Sequence, residues 1–85
     1  MTRQELAMES GSSGEALADM LFRLGMTCAT GAQMPVDYVA AHKWFNLAAM
    51  KGNAEAIRLR REIAEEMSEA EITAALRAAR DFLRH

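Results

Sequence analysis

The stretch ADMLFRLGMTCATGAQMPVDYVAAHKWFNLAAMKGNAEA, Ala18 to Ala56, decides the fold. Leu17, Met20, Leu21, Leu24 and Cys28 recur at spacings of three and four on its N-terminal side. That spacing gathers them on one face of a helix expected over Ser13–Thr30. Phe22 and Met26, four apart, fall on a different face. Gly25 costs this helix about 1 kcal/mol relative to Ala, so close contact with a neighbouring backbone is the expected compensation. Gly31 supplies a left-handed C-cap, and Pro35 cannot continue the helix. Asp37 then caps a second helix, Tyr38–Lys51, and its carboxylate suits the positive end of the dipole. Ala41, Trp44, Phe45 and Ala48 make the core stripe of that helix, and Gly52 ends it. Two apolar stripes flanking one short turn describe an antiparallel helix pair.

Outward towards the C-terminus, Asn53 caps a third helix over Ala54–Met67 with a thin apolar set of Ala56, Ile57, Leu59, Ile63, Ala64 and Met67. Arg58 with Glu62, and Arg61 with Glu65, stand four apart as acid–base pairs worth a few tenths of a kcal/mol each. Ser68-Glu69-Ala70-Glu71 is a capping box for a fourth helix reaching Leu83. Ile72, Ala75, Leu76, Ala79 and Leu83 form its stripe. Arg77, Arg80 and Arg84 lie in its later turns, where the dipole favours cations. Towards the N-terminus, Thr2 with Glu5 could open a short helix that Gly11-Ser12-Ser13-Gly14 breaks, and Ser12 with Glu15 opens the next. Residues 1–12 are thus expected as a partly disordered segment or short helix, and 13–85 as the folded helical domain.

An 85-residue chain makes one domain with a thin stability margin, and its 51% apolar content, much of it Ala, suffices for a closely packed helical core. The formal charge of -2, with acids and bases interspersed, argues against nucleic acid, which needs a concentrated basic face. A single cysteine, Cys28, excludes an internal disulfide and a cysteine-based metal site. Neither a signal peptide nor a membrane span can be drawn, so a cytoplasmic location and no membrane partner are expected.

At Ala18–Ala56 the sequence resembles the Sel-one-like repeat (SLR), a relative of the tetratricopeptide repeat. The resemblance rests on Leu24-Gly25, Gly31, Asp37-Tyr38, Ala41, Trp44-Phe45, Ala48-Ala49, Gly52 and Ala54-x-Ala56. Cys28 stands where that family usually has Tyr, leaving a smaller side chain against the second helix. Gln33 stands where it usually has Gly. The resemblance implies an all-α fold, an α/α superhelix of right-handed helical hairpins. About one full repeat would be followed by a degenerate C-terminal capping pair with a polar outer side. It implies an adaptor or scaffold that binds a peptide or helix of a protein partner. By analogy with the wider superfamily, first helices line the inner surface. That nominates Phe22, Arg23, Met26 and Thr27, with Arg58 and Arg61 on the third helix. Phe22 and Met26 have a plainer reading as packing residues.

Catalytic chemistry finds little support. His42, expected half exposed beside Lys43, has Asn46 rather than a ligand at i+4. Cys28 sits on the core stripe and reads as a buried, inert thiol. Glu65-Glu66 reads as a solvated helix face, and Glu69 with Glu71 as part of the capping box. Gly11-Ser12-Ser13-Gly14 lacks the Lys and the strand of a phosphate loop. No catalytic residue, cofactor or metal ligand is therefore assigned. The alternatives to a protein-binding module are a self-associating structural protein, such as a homodimer that buries exposed solenoid ends, and then a small hydrolase or enzyme fragment.

Overall fold

The computed structural model describes the backbone of residues 2–84 and the side chains of residues 14–84. Four helices follow in order: α1 Thr2–Thr30, α2 Tyr38–Met50, α3 Ala54–Ala64 and α4 Glu69–Arg84. The described residues hold no strand, so the protein is all-α. None of the described helices is long and apolar enough to cross a membrane.

Local signals set most helix ends. Asp37 Oδ1 accepts from the Ala40 amide at 3.0 Å, and Asn53 Oδ1 from the Ala56 amide at 2.9 Å. These are the N-caps of α2 and α3. Ser68 and Glu71 complete a reciprocal box: Ser68 N–H donates to Glu71 Oε1 at 2.8 Å, and Glu71 N–H to Ser68 Oγ at 3.1 Å. Gly31 adopts φ +71° after α1, and Gly52 φ +104° after α2. Past α2, Gly52 N–H donates to the Ala49 carbonyl and Asn53 N–H to the Ala48 carbonyl, the paired bonds of a Schellman ending. The amides of Glu65, Glu66 and Met67 each donate to the carbonyl three residues back. That tighter winding ends α3 at Ala64, short of the expected Met67.

The N-terminal reading needs correction. Instead of a break at Gly11–Gly14, the helical backbone of α1 runs through it. Each glycine costs about 1 kcal/mol, but extending an existing helix still gains one hydrogen bond per residue. The side chains of Thr2, Glu5 and Ser12, on which the two expected capping boxes rest, lie outside those described.

Helix α2 is the hub: α1, α3 and α4 each pack principally on it, and α3 and α4 do so rather than extensively on one another. Leu21, Cys28, Ala41, Phe45, Leu47, Ala48, Ala56, Ile63 and Ala79 form the central cluster. Phe45 is fully buried, and its ring lies over Gly25. A Cβ added at Gly25 would stand 2.5 Å from Phe45 Cδ1 and Cε1. What the glycine admits is therefore an aromatic ring, where backbone had been expected. This contact also decides which stripe of α1 turns inward. Ala18, Leu21, Gly25 and Cys28 are buried, while Leu17, Met20 and Leu24 of the expected stripe are exposed. Both sets have helical spacing, but only the one holding Gly25 leaves room for the ring. Phe22 adds a tilted aromatic contact to Phe45, with centroids 5.7 Å apart.

The C-terminal pair also differs from a polar cap. Ala75 and Ala79 of α4 are buried, yet Leu76, Phe82 and Leu83 are exposed on it. Alanines let α4 approach α2 closely without covering the larger apolar side chains beside them.

Candidate functional site

Two concavities border α2. The larger is a cleft of about 600 Å³ beneath the α1–α2 turn, reaching the first turns of α4. Its apolar wall comes from Met34, Pro35 and Val36, with Tyr38 and Trp44 on α2 and Cys28 at the end of α1. Its charged lining residues are Asp37 and Glu71. The backbone explains the placement. Asp37 N–H donates to the Cys28 carbonyl at 2.9 Å, which folds the turn back over the end of α1. A Cβ at Gly31 would stand 3.0 Å from Val36 Cγ2, so the positive φ there sets the turn's course. Each carboxylate spends one oxygen on its helix cap, Asp37 Oδ1 and Glu71 Oε1. Among the described residues neither enters an ion pair. Both remain able to accept from a cation.

Trp44 ties this cleft to α4. Its ring meets Phe82 edge-on, with centroids 5.4 Å apart and planes at 79°. The Lys43 ammonium stands 4.0 Å from the indole centroid, so the ring face already serves a cation.

The smaller concavity is a groove of about 230 Å³ lined by Asn46, Met50, Leu76, Ala79, Arg80 and Leu83. Arg60 of α3 donates through Nη1 to Asn46 Oδ1 at its edge.

Phe22, Arg23, Met26, Thr27, Arg58 and Arg61 line neither concavity. Phe22 and Met26 are half-buried and pack against the core. Thr27 Oγ1 donates back to the Arg23 carbonyl at 3.0 Å. Arg58 pairs with Glu55 and Glu62 on its own helix, while Arg23 and Arg61 are exposed. Helical spacing could not place the cleft, because Glu71 comes beside the α1–α2 turn only through tertiary packing.

His42 corrects a further expectation. It is buried, 4% exposed, and its Nδ1 has no hydrogen-bond partner. Burial first, then the nearby Arg60 guanidinium, holds the imidazole below its ordinary pKa. Cys28 is buried as expected, and burial, then the Asp37 carboxylate, pushes its thiol up. Such a thiol stays protonated at neutral pH and is a poor nucleophile. His42 is not among the cleft residues that surround Cys28, so the two do not form a nucleophile–base pair there. Among the described residues, no three His, Cys, Asp or Glu side chains gather as a metal site.

Comparison with protein-family models, with curated proteins and with solved structures yields no match to this chain.

Proposed function

We propose that this chain is a protein–protein interaction module, an adaptor or scaffold element whose helices pack in the manner of Sel-one-like repeats. The cleft receives a segment of the partner that carries an apolar residue next to a lysine or arginine. The observation that carries this reading is the composition of the cleft: exposed Met34 and Val36 and half-buried Trp44 beside the carboxylates of Asp37 and Glu71. An apolar wall with a few convergent polar groups is the usual make-up of a binding cavity. Cys28, at a position where the repeats it resembles usually carry Tyr, keeps the floor open. The raised thiol supports binding over covalent catalysis.

The test uses residues whose side chains are free of the core. The domain and its Val36→Asp and Glu71→Gln variants, the second keeping the capping acceptor while removing the charge, are immobilised and challenged with an extract of the native host. A partner retained by the parent and lost by both variants, whose circular dichroism melts stay close to the parent's, supports the cleft. Equal retention by all three refutes it.

A further inference from the structure

The groove between α2 and α4 is a separate surface of opposite charge. Leu76 and Leu83, seven residues apart, lie on one line along α4, and Met50 of α2 faces the same groove. All three are exposed, from 42% at Leu76 to 58% at Met50. Arg77, Arg80 and Arg84 follow at spacings of three and four and run along the border of that line. Arg60 stands at the other wall through its bond to Asn46. Among the described residues the ion pairs are those of Arg58 with Glu55 and Glu62, so these four guanidiniums have no carboxylate partner. Asp81, on the same helix, pairs with none of them. Because Arg60 occupies Asn46 Oδ1, the amide nitrogen of Asn46 remains available to donate.

We propose that this groove docks an acidic amphipathic helix of a partner protein. A volume of about 230 Å³ is below that of a typical metabolite pocket and suits one large apolar anchor from a helix. The unpaired guanidiniums select the flanks: Glu or Asp beside the apolar line gains charge-assisted bonds, and Lys or Arg is repelled. A second copy of the chain is a poor occupant. On a two-fold axis centred between Leu76 and Leu83, Arg80 would oppose its own symmetry mate. The groove is independent of the cleft, and its variants leave Asp37, Glu71 and Val36 untouched.

The experiment measures fluorescence anisotropy with two labelled synthetic helices. Both carry Leu at i, i+3 and i+7, one with Glu flanks and one with Lys flanks. The acidic helix binds the parent saturably, and the basic helix at least about tenfold more weakly. Arg80→Glu reverses that preference, and Leu76→Ser weakens the acidic helix by about tenfold or more. Both side chains are exposed, and a circular dichroism melt confirms that each variant folds. Equal binding of the two helices, or no saturable binding of the acidic one, overturns the proposal. So does self-association in sedimentation that Leu76→Ser abolishes, since a second copy would then fill the groove.

Discussion

The two sides of α2 are built differently. Towards α1 a full aromatic side chain, Phe45, closes on a glycine, and Phe22 packs on the same ring. Towards α4 the buried residues are alanines, Ala75 and Ala79, and Trp44 meets Phe82 edge-on. Ring on glycine fills its space and leaves nothing to bind. Alanine on helix brings backbones together but leaves larger neighbours uncovered, and there the groove opens. One helix thus devotes one face to stability and the margins of another to surface.

The steepest way to break the α1 side is Phe45→Ala. Loss of a fully buried ring costs about 3–5 kcal/mol, which for a domain of this size approaches its whole stability. Urea unfolding should show a midpoint shifted far down or no transition. Next comes Gly25→Ala. Overpacking against a ring that cannot retreat costs about 1–3 kcal/mol, more than the helix propensity that alanine returns. On the α4 side, Phe82→Ala should cost less than Phe45→Ala. Phe82 is 46% exposed and loses mainly its edge contact with Trp44, so thermal melts of the two variants rank the two interfaces.

A cap offers a smaller effect common to both sides. Asp37→Ala removes the α2 cap and should cost about 1 kcal/mol, read as a urea midpoint shift at unchanged slope.

The smallest expected effect concerns His42 and depends on pH. Its folded pKa lies below the ordinary 6.5 that the unfolded chain takes up. Between those two values the unfolded chain binds more protons, so stability rises with pH there. The protein keeps its full stability above the unfolded value, loses some as pH falls through it, and levels off below the folded one. Urea midpoints at about pH 7.5 and about pH 5.5 should therefore differ more in the parent than in His42→Leu. Equal differences would mean that His42 titrates as it does in the unfolded chain.

Much of this architecture was legible in the sequence because helix ends are local. Asp37, Asn53, Ser68 with Glu71, Gly31 and Gly52 each act through neighbours within a few residues, and each stands where its chemistry placed it. The buried stripe of α1 was not legible. Leu17, Met20 and Leu24 satisfy helical spacing as well as Ala18, Leu21, Gly25 and Cys28, and only the shape of Phe45 chooses between them. The burial of His42 was not legible either: a polar side chain gives no periodic sign that tertiary packing covers it. Both concavities join residues far apart in sequence, Asp37 with Glu71 and Met50 with Leu83, which no helical period links.

A double-mutant cycle between Gly25→Ala and Phe45→Leu tests the ring-on-glycine contact most directly. In the parent, the added methyl should destabilise the fold in urea unfolding. In the Phe45→Leu background, where the ring is gone, the same methyl should cost nothing or stabilise by up to about 1 kcal/mol through helix propensity. An equal loss in both backgrounds would mean that Phe45 does not lie over Gly25, and the assignment of the two faces of α2 would fail with it.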